Sequence, residues 1–209
     1  MDSDGRRILG VVLFDGFELL DVFGPVELFA RLTELFEVHF IGPDERPVRS
    51  AQGKKVVTDH PYADAPPADI SLVPGGTGTR ALAGDAAFGT WLRGWAGSSE
   101  IAASVCTGAG LLAAAGLLDG YRATSNKRAF AWVMEQGPNV TWVRKARWVH
   151  DRDRWTSGGV AAGMDMSLAL IAHLHGEELA TRLADAVEYD WHRDSEWDPF
   201  AVKHGLVVE

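Results

Sequence analysis

Short apolar runs alternate with amphipathic stretches along the chain. Residues 7–14, RILGVVLF, are almost continuously apolar and stop at Asp15-Gly16. That is the pattern of a strand buried on both faces. Residues 21–34 place Val22, Val26, Phe29 and Ala30 at helical spacing, with Pro25 suited to the first turn. EVHFIGP (37–43) reads as a second strand, and PVRSAQGKKVVTDH (47–60), with Gly53 near its middle, as a hairpin or an edge excursion. ADISLVPGGTGTR (68–80) is a buried strand running into a glycine-rich turn. Residues 85–97 put Phe88, Leu92 and Trp95 on one helical face. EIAASV (100–105) predicts a further strand, followed by Cys106 and a small-residue helix over about 107–116. RKARWVHDRDRWTS (144–157) predicts a hairpin turning near 151–153, and two helices follow over 160–175 and 177–190, broken at Gly176.

This alternation predicts an α/β fold, a doubly wound, mostly parallel sheet with helices on both faces in three layers. No repeat or linker interrupts it, so one domain over 1–209 is expected, with a C-terminal tail at about 188–209. Sites in such folds lie beyond the carboxyl ends of the strands, near the switch in strand order. Three predicted loops lie there: 15–21, 75–79 and 106–110.

Composition narrows the picture. The chain is 46% hydrophobic and 23% charged, as expected of a globular protein. A net charge of −9 without a strongly basic segment argues against a nucleic-acid partner. No apolar run approaches the roughly 20 residues of a membrane helix, so no membrane partner is expected. The N-terminal MDSDGRRILG leads into a strand rather than a secretory segment. A single cysteine excludes an internal disulfide framework and suggests a reducing, cytoplasmic setting. His173 and His175 stand two apart on a predicted helix and face different ways, so no metal site is expected. Trp142, Trp148 and Trp155, on the predicted hairpin, are candidate interface residues.

The candidate chemistry centres on IAASVCTGAG (101–110). A free cysteine is often only a small buried hydrophobe. Here strand, Cys106 and then Thr107-Gly108-Ala109-Gly110 match a sharp strand-to-helix turn, with small residues where crowding would arise. The amides of a helix start would favour the thiolate of Cys106. Gly75, Gly76 and Thr77 end another strand at the same edge and would offer amides for an oxyanion-type pocket. A partner acid would come from FDGFELLD, where Asp15, Glu18 and Asp21 compete. Asp15-Gly16 looks like a turn, Glu18 is open to solvation, and Asp21 also suits a helix N-cap. Asp165 reads as a helix-start acid and His192 as a surface residue.

VPGGTG, SVCTGAGLLAAAGLLDG and WTSGGVAAGMD, in that order, resemble the ThiJ/PfpI superfamily, related to class I glutamine amidotransferases. LFDGFELLDVFGPVELF is similar to its first strand and helix, and the resemblance covers about residues 7–190. It implies a flavodoxin-like sandwich, usually a homodimer, with the cysteine on a strained elbow. Cys106-Thr107, with Leu20-Asp21 before Gly24-Pro25, is similar to the isonitrile-hydratase branch. That branch implies a small hydrophobic isonitrile as substrate, an N-substituted formamide as product and no cofactor. Cys106 would be the nucleophile, Asp21 the proton donor and water-orienting group, with Glu18 the alternative acid. Thr107 would supply a hydroxyl or amide near that acid. Peptidases of the superfamily place His after the cysteine, and Thr107 removes that relay. Glyoxalase-type or hydrolytic chemistry and redox sensing are the other activities the superfamily implies. Relatives in the branch carry Thr-His after Arg-Ala-Thr, whereas this chain reads Arg122-Ala123-Thr124-Ser125-Asn126-Lys127, which bears on substrate preference. The tail EYDWHRDSEWDPFA (188–201) has no counterpart there and is expected to dock on the domain or on a partner subunit.

Overall fold

The computed structural model describes residues 5–208. Residues 1–4 of the N-terminal stretch read above, and residue 209 of the expected domain and its tail, lie outside the described residues.

The strands are β1 (Arg7–Val12), β2 (Phe36–Gly42), β3 (Val48–Arg49), β4 (Lys55–Val56), β5 (His60–Pro61), β6 (Ile70–Val73), β7 (Ile101–Val105), β8 (Arg122–Ala123), β9 (Thr141–Trp142), β10 (Trp148–Asp151) and β11 (Arg154–Ser157). The helices are α1 (Leu19–Ala30), α2 (Thr79–Leu82), α3 (Ala86–Gly97), α4 (Gly108–Ala114), α5 (Phe130–Gln136), α6 (Ala162–His175), α7 (Glu177–Ala186) and α8 (Phe200–Lys203). The main sheet runs β10-β11-β7-β6-β1-β2-β5. Every pair in it is parallel except β10 with β11. Strand order therefore reverses between β1 and β6. Helices α1, α6 and α7 pack on one face and α2 to α5 on the other. The result is the predicted three-layer α/β sandwich.

The central strands read as unbroken apolar runs because both faces are covered: all four residues of β6 and all five of β7 are buried. Residues 47–60 resolve into both expected alternatives, since β3 and β4 form a small hairpin and β5 joins the sheet edge. The turn between β10 and β11 carries Arg152 in a left-handed conformation, and Gly176 separates α6 from α7 at φ 93°.

Three expectations change. Helix α1 begins at Leu19, so Asp21 sits in its first turn and Glu18 takes the cap position. The Glu18 amide donates to the Gly75 carbonyl at 2.9 Å, which fixes where the helix starts. Pro25 consequently lies inside α1 rather than in its first turn. Trp148 and Trp155 are core residues at 6% and 3% exposure, so they are not available to an interface. Asp165 sits in the first turn of α6, as expected, and there it is fully buried in an ion pair with Arg147 at 2.5 Å.

The tail docks on the chain's own sandwich. Tyr189 Oη and the His192 amide donate to Asp165 Oδ1 at 3.1 and 3.0 Å, and the Arg147 amide donates to the Ser195 carbonyl at 2.7 Å. Asp198 pairs with Lys127 at 3.0 Å, both buried. His192 is half-buried, stacked on Trp197. Among the described residues no helix is long and apolar enough to cross a membrane, and no cluster of His, Cys, Asp and Glu is arranged to hold a metal.

Candidate active site

Strand β7 ends at Val105 and α4 begins at Gly108, leaving two residues for the turn. Cys106 makes it in the left-handed region, at φ 58°. That conformation is strained for a residue with a β-carbon and aims the side chain away from the sheet. Two bonds over-determine the turn. The Cys106 amide donates to the Gly158 carbonyl at 3.2 Å, and Ser125 Oγ donates to the Cys106 carbonyl at 2.7 Å. Gly108 is required just beyond, because a β-carbon there would collide with the backbone of Val73 and Pro74.

The loop after β1 and the loop after β6 are stitched together across the switch in strand order. Besides the Glu18 to Gly75 bond, the Gly78 amide donates to the Gly16 carbonyl at 3.3 Å. Gly76 allows this approach at φ 129°, with Gly16, Phe17 and Glu18 backbone where a side chain would go. The stitch carries Asp21 to the sulfur. Asp21 is fully buried, and its Oδ2 accepts the Gly75 amide at 2.9 Å. Its Oδ1 has no hydrogen-bond partner among the described residues, and the carboxyl stands close enough to Cys106 for its charge to act on the thiol. Glu18 stands at the rim instead, where Gln52 Nε2 donates to its carboxylate. Of the competing acids, then, Asp21 faces the sulfur.

Thr107 Oγ1 accepts from the Gly76 amide at 3.1 Å and from Thr79 Oγ1 at 3.2 Å. The Gly75 and Gly76 amides, expected to be free oxyanion donors, therefore hold Asp21 and Thr107 in place. Thr77 Oγ1 donates to the Gly16 carbonyl at 3.4 Å. The donors that reach the sulfur are the Thr107 amide and the Asn126 side chain. Asn126 Oδ1 accepts the Ala129 amide at 3.1 Å, which turns the amide nitrogen toward the thiol. The sequence places Asn126 in a segment that bears on substrate preference, not beside the sulfur. Its one signal was its place in a polar loop directly after β8.

Electrostatics overturn the thiolate expectation. Burial pushes the Cys106 pKa well up, and the neighbouring Asp21 charge pushes the same way. The Thr107 amide and Asn126 oppose this and do not win. Asp21 is pushed up to about 8, mainly by burial, with the Gly75 amide pulling down and the Glu18 charge adding to the rise. Around neutral pH the pair is a thiol beside a neutral acid, two protons over two coupled groups. Cys106 is only 7% exposed, and a cavity of about 530 Å3 leads to it. Glu18, Thr77, Arg80, Asn126, Arg128 and Val160 are among the residues lining that cavity.

The sequence pattern described as the DJ-1/PfpI family matches residues 6–173. The chain is 34% identical over 181 residues to isonitrile hydratase of Pseudomonas putida, covering 87% of this chain and 78% of that protein. It is 32% identical to the HTH-type transcriptional regulator GbdR of Pseudomonas aeruginosa, over 87% of this chain but 50% of the regulator. The chain thus spans about half the length of that relative. A THiJ/PfpI family protein from Pseudomonas syringae superposes with a TM-score of 0.79 at 30% identity, covering 89% of this chain and 76% of that one.

Proposed function

The chain belongs to the DJ-1/PfpI family, and from that footing we propose that it is a lyase of the isonitrile hydratase type. The observation that carries this reading is the buried Asp21 carboxyl against the Cys106 thiol, with Thr107 where a relay enzyme has His. The similarity to the Pseudomonas putida hydratase supports it.

The active form of the pair holds one proton, as thiolate beside carboxylic acid. Sulfur attacks the isonitrile carbon, the S–C bond forms, and Asp21 delivers its proton to that carbon. The product of this step is a thioimidate. Ionised Asp21 then takes a proton from water as the oxygen adds to the same carbon, and passes it to nitrogen. The C–S bond breaks, the hydroxyl proton returns to Asp21, and an N-substituted formamide leaves. One water is consumed, and both groups end as they began. The Thr107 amide and Asn126 stabilise negative charge on sulfur at attack and departure.

Incubation with cyclohexyl isonitrile should give the formamide, and Cys106→Ala should abolish it. Absence of turnover by the unaltered protein would overturn the proposal. Turnover of methylglyoxal in its place would assign the pair to glyoxalase-type chemistry. Similarity to GbdR favours a second reading, a ligand-binding module that captures a small molecule without turnover. A cytoplasmic homodimer completes the proposal; exposed Leu20 and Phe23 on α1 support pairing, and light scattering at a monomer's mass would refute it.

A further inference from the structure

The hydratase reading implied a small hydrophobic substrate, but the cavity at Cys106 also carries positive charge. Its aliphatic side chains are those of Ala129 and Val160. Arg80 and Arg128 stand at its mouth, in a protein of net charge −9. Both are exposed, and neither meets a carboxylate among the described residues. The Arg80 guanidinium stands over Trp132, 3.5 Å from the ring centroid, and among the described residues its one hydrogen bond is a 3.4 Å contact to neighbouring Thr79. The ring contact holds the guanidinium in place while leaving its edge open. Arg128 makes no hydrogen bond or ion pair among the described residues. The mouth's own carboxylate, Glu18, is occupied by Gln52. Two guanidinium groups without anions therefore flank the path to the sulfur.

We propose that the ligand carries a carboxylate, held by Arg80 and Arg128 at the mouth while its reactive carbon reaches Cys106. Resting on the hydratase reading, this makes the substrate a small isonitrile of the isocyanocarboxylate type. Guanidinium suits this task because its N–H fork matches the two carboxylate oxygens. A tenfold preference corresponds to about 1.4 kcal/mol, or about 0.7 kcal/mol for each of two exposed pairs.

The test has two arms. In the first, kcat/KM for isocyanoacetate is compared with that for its methyl ester, in the unaltered protein and in Arg80→Gln and Arg128→Gln. The carboxylate should be preferred about tenfold, and each substitution should shrink the ratio. The second arm needs no hydratase activity. Alkylation of Cys106 by iodoacetate is compared with that by iodoacetamide, each relative to N-acetylcysteine in the same buffer. Iodoacetate should be favoured by a similar factor, again lost in the arginine variants. Equal treatment of both reagents, or a preference unmoved in both variants, overturns the anion site. If no isonitrile turns over while the iodoacetate preference and its arginine dependence stand, the hydratase reading falls and the anion site survives. If the ester is the better substrate and iodoacetate has no advantage, the reverse holds.

Discussion

Asp21→Asn should stabilise the fold, and by an amount that grows with pH. The carboxyl ionises at 3.8 in a model compound and at about 8 in the folded chain, mainly because it is buried. Below the lower value it is neutral in both states and has no linked effect. Between the two values the unfolded chain releases a proton that the folded protein keeps. Folding stability therefore falls as pH rises, by about 1.4 kcal/mol per unit. From pH 5 to pH 8 the loss is about 4 kcal/mol. Asparagine does not ionise, and its Oδ1 still accepts the Gly75 amide that Asp21 accepts at 2.9 Å. The stability of Asp21→Asn relative to the unaltered protein should thus widen by about 4 kcal/mol over this interval, or roughly 10 °C in Tm. Urea unfolding at pH 5, 6, 7 and 8, followed by tryptophan fluorescence, measures it. A difference that stays constant, or that narrows toward pH 8, would refute a buried acid held neutral.

The same ionisation sets the rate. A pair with two protons must lose one before sulfur attacks, so kcat/KM should climb as pH rises through about 8, the value given for Asp21; a rate that declines over that range would contradict the proposed order of protons. Asn126→Ala removes a donor to the sulfur, so alkylation of Cys106 should slow about tenfold at fixed pH and its midpoint should move upward. Gly75→Ala would put a β-carbon 2.6 Å from the Thr107 amide nitrogen and 2.9 Å from Asp21 Oδ2. It should destabilise by about 1–3 kcal/mol and depress activity, which thermal melts and turnover together check. Asp198→Ala leaves Lys127 buried without its counter-charge and should cost about 3 kcal/mol, with faster proteolysis within 188–201.

Much of this architecture was legible because local pattern and tertiary environment agree. Covered on both faces, β6 and β7 had to be apolar throughout, and they read that way. Cys106 could be picked out because a left-handed turn against Val73 leaves room only for small neighbours, and Gly108 records that demand. Burial depth at the sulfur was illegible, since it depends on loops distant in sequence closing over it. That is why a helix start suggested a thiolate where the folded chain holds a thiol. Asn126 and Lys127 were beyond reach for a related reason. Lys127 Nζ takes Thr124 Oγ1, Ser125 O and Ala146 O as acceptors, and pairs with Asp198 in the tail. Local periodicity carries no trace of a pairing between a loop and a tail segment so far along the chain.

One structural choice underlies both the fragility and the chemistry of this site. Placing Asp21 inside the first turn of α1, rather than at its cap, removes the carboxyl from water and leaves it a single amide donor. A capping aspartate would sit at the surface with its charge supported by several amides, and would stay ionised at neutral pH. The buried position keeps a proton available beside the sulfur, and the same burial makes that carboxyl oppose folding as pH rises. Gly75 and Gly76 make the placement possible, since side chains at either would push apart the loops that carry the acid and the thiol. The acid and the strained cysteine are therefore a single unit, held by glycines that are chemically silent.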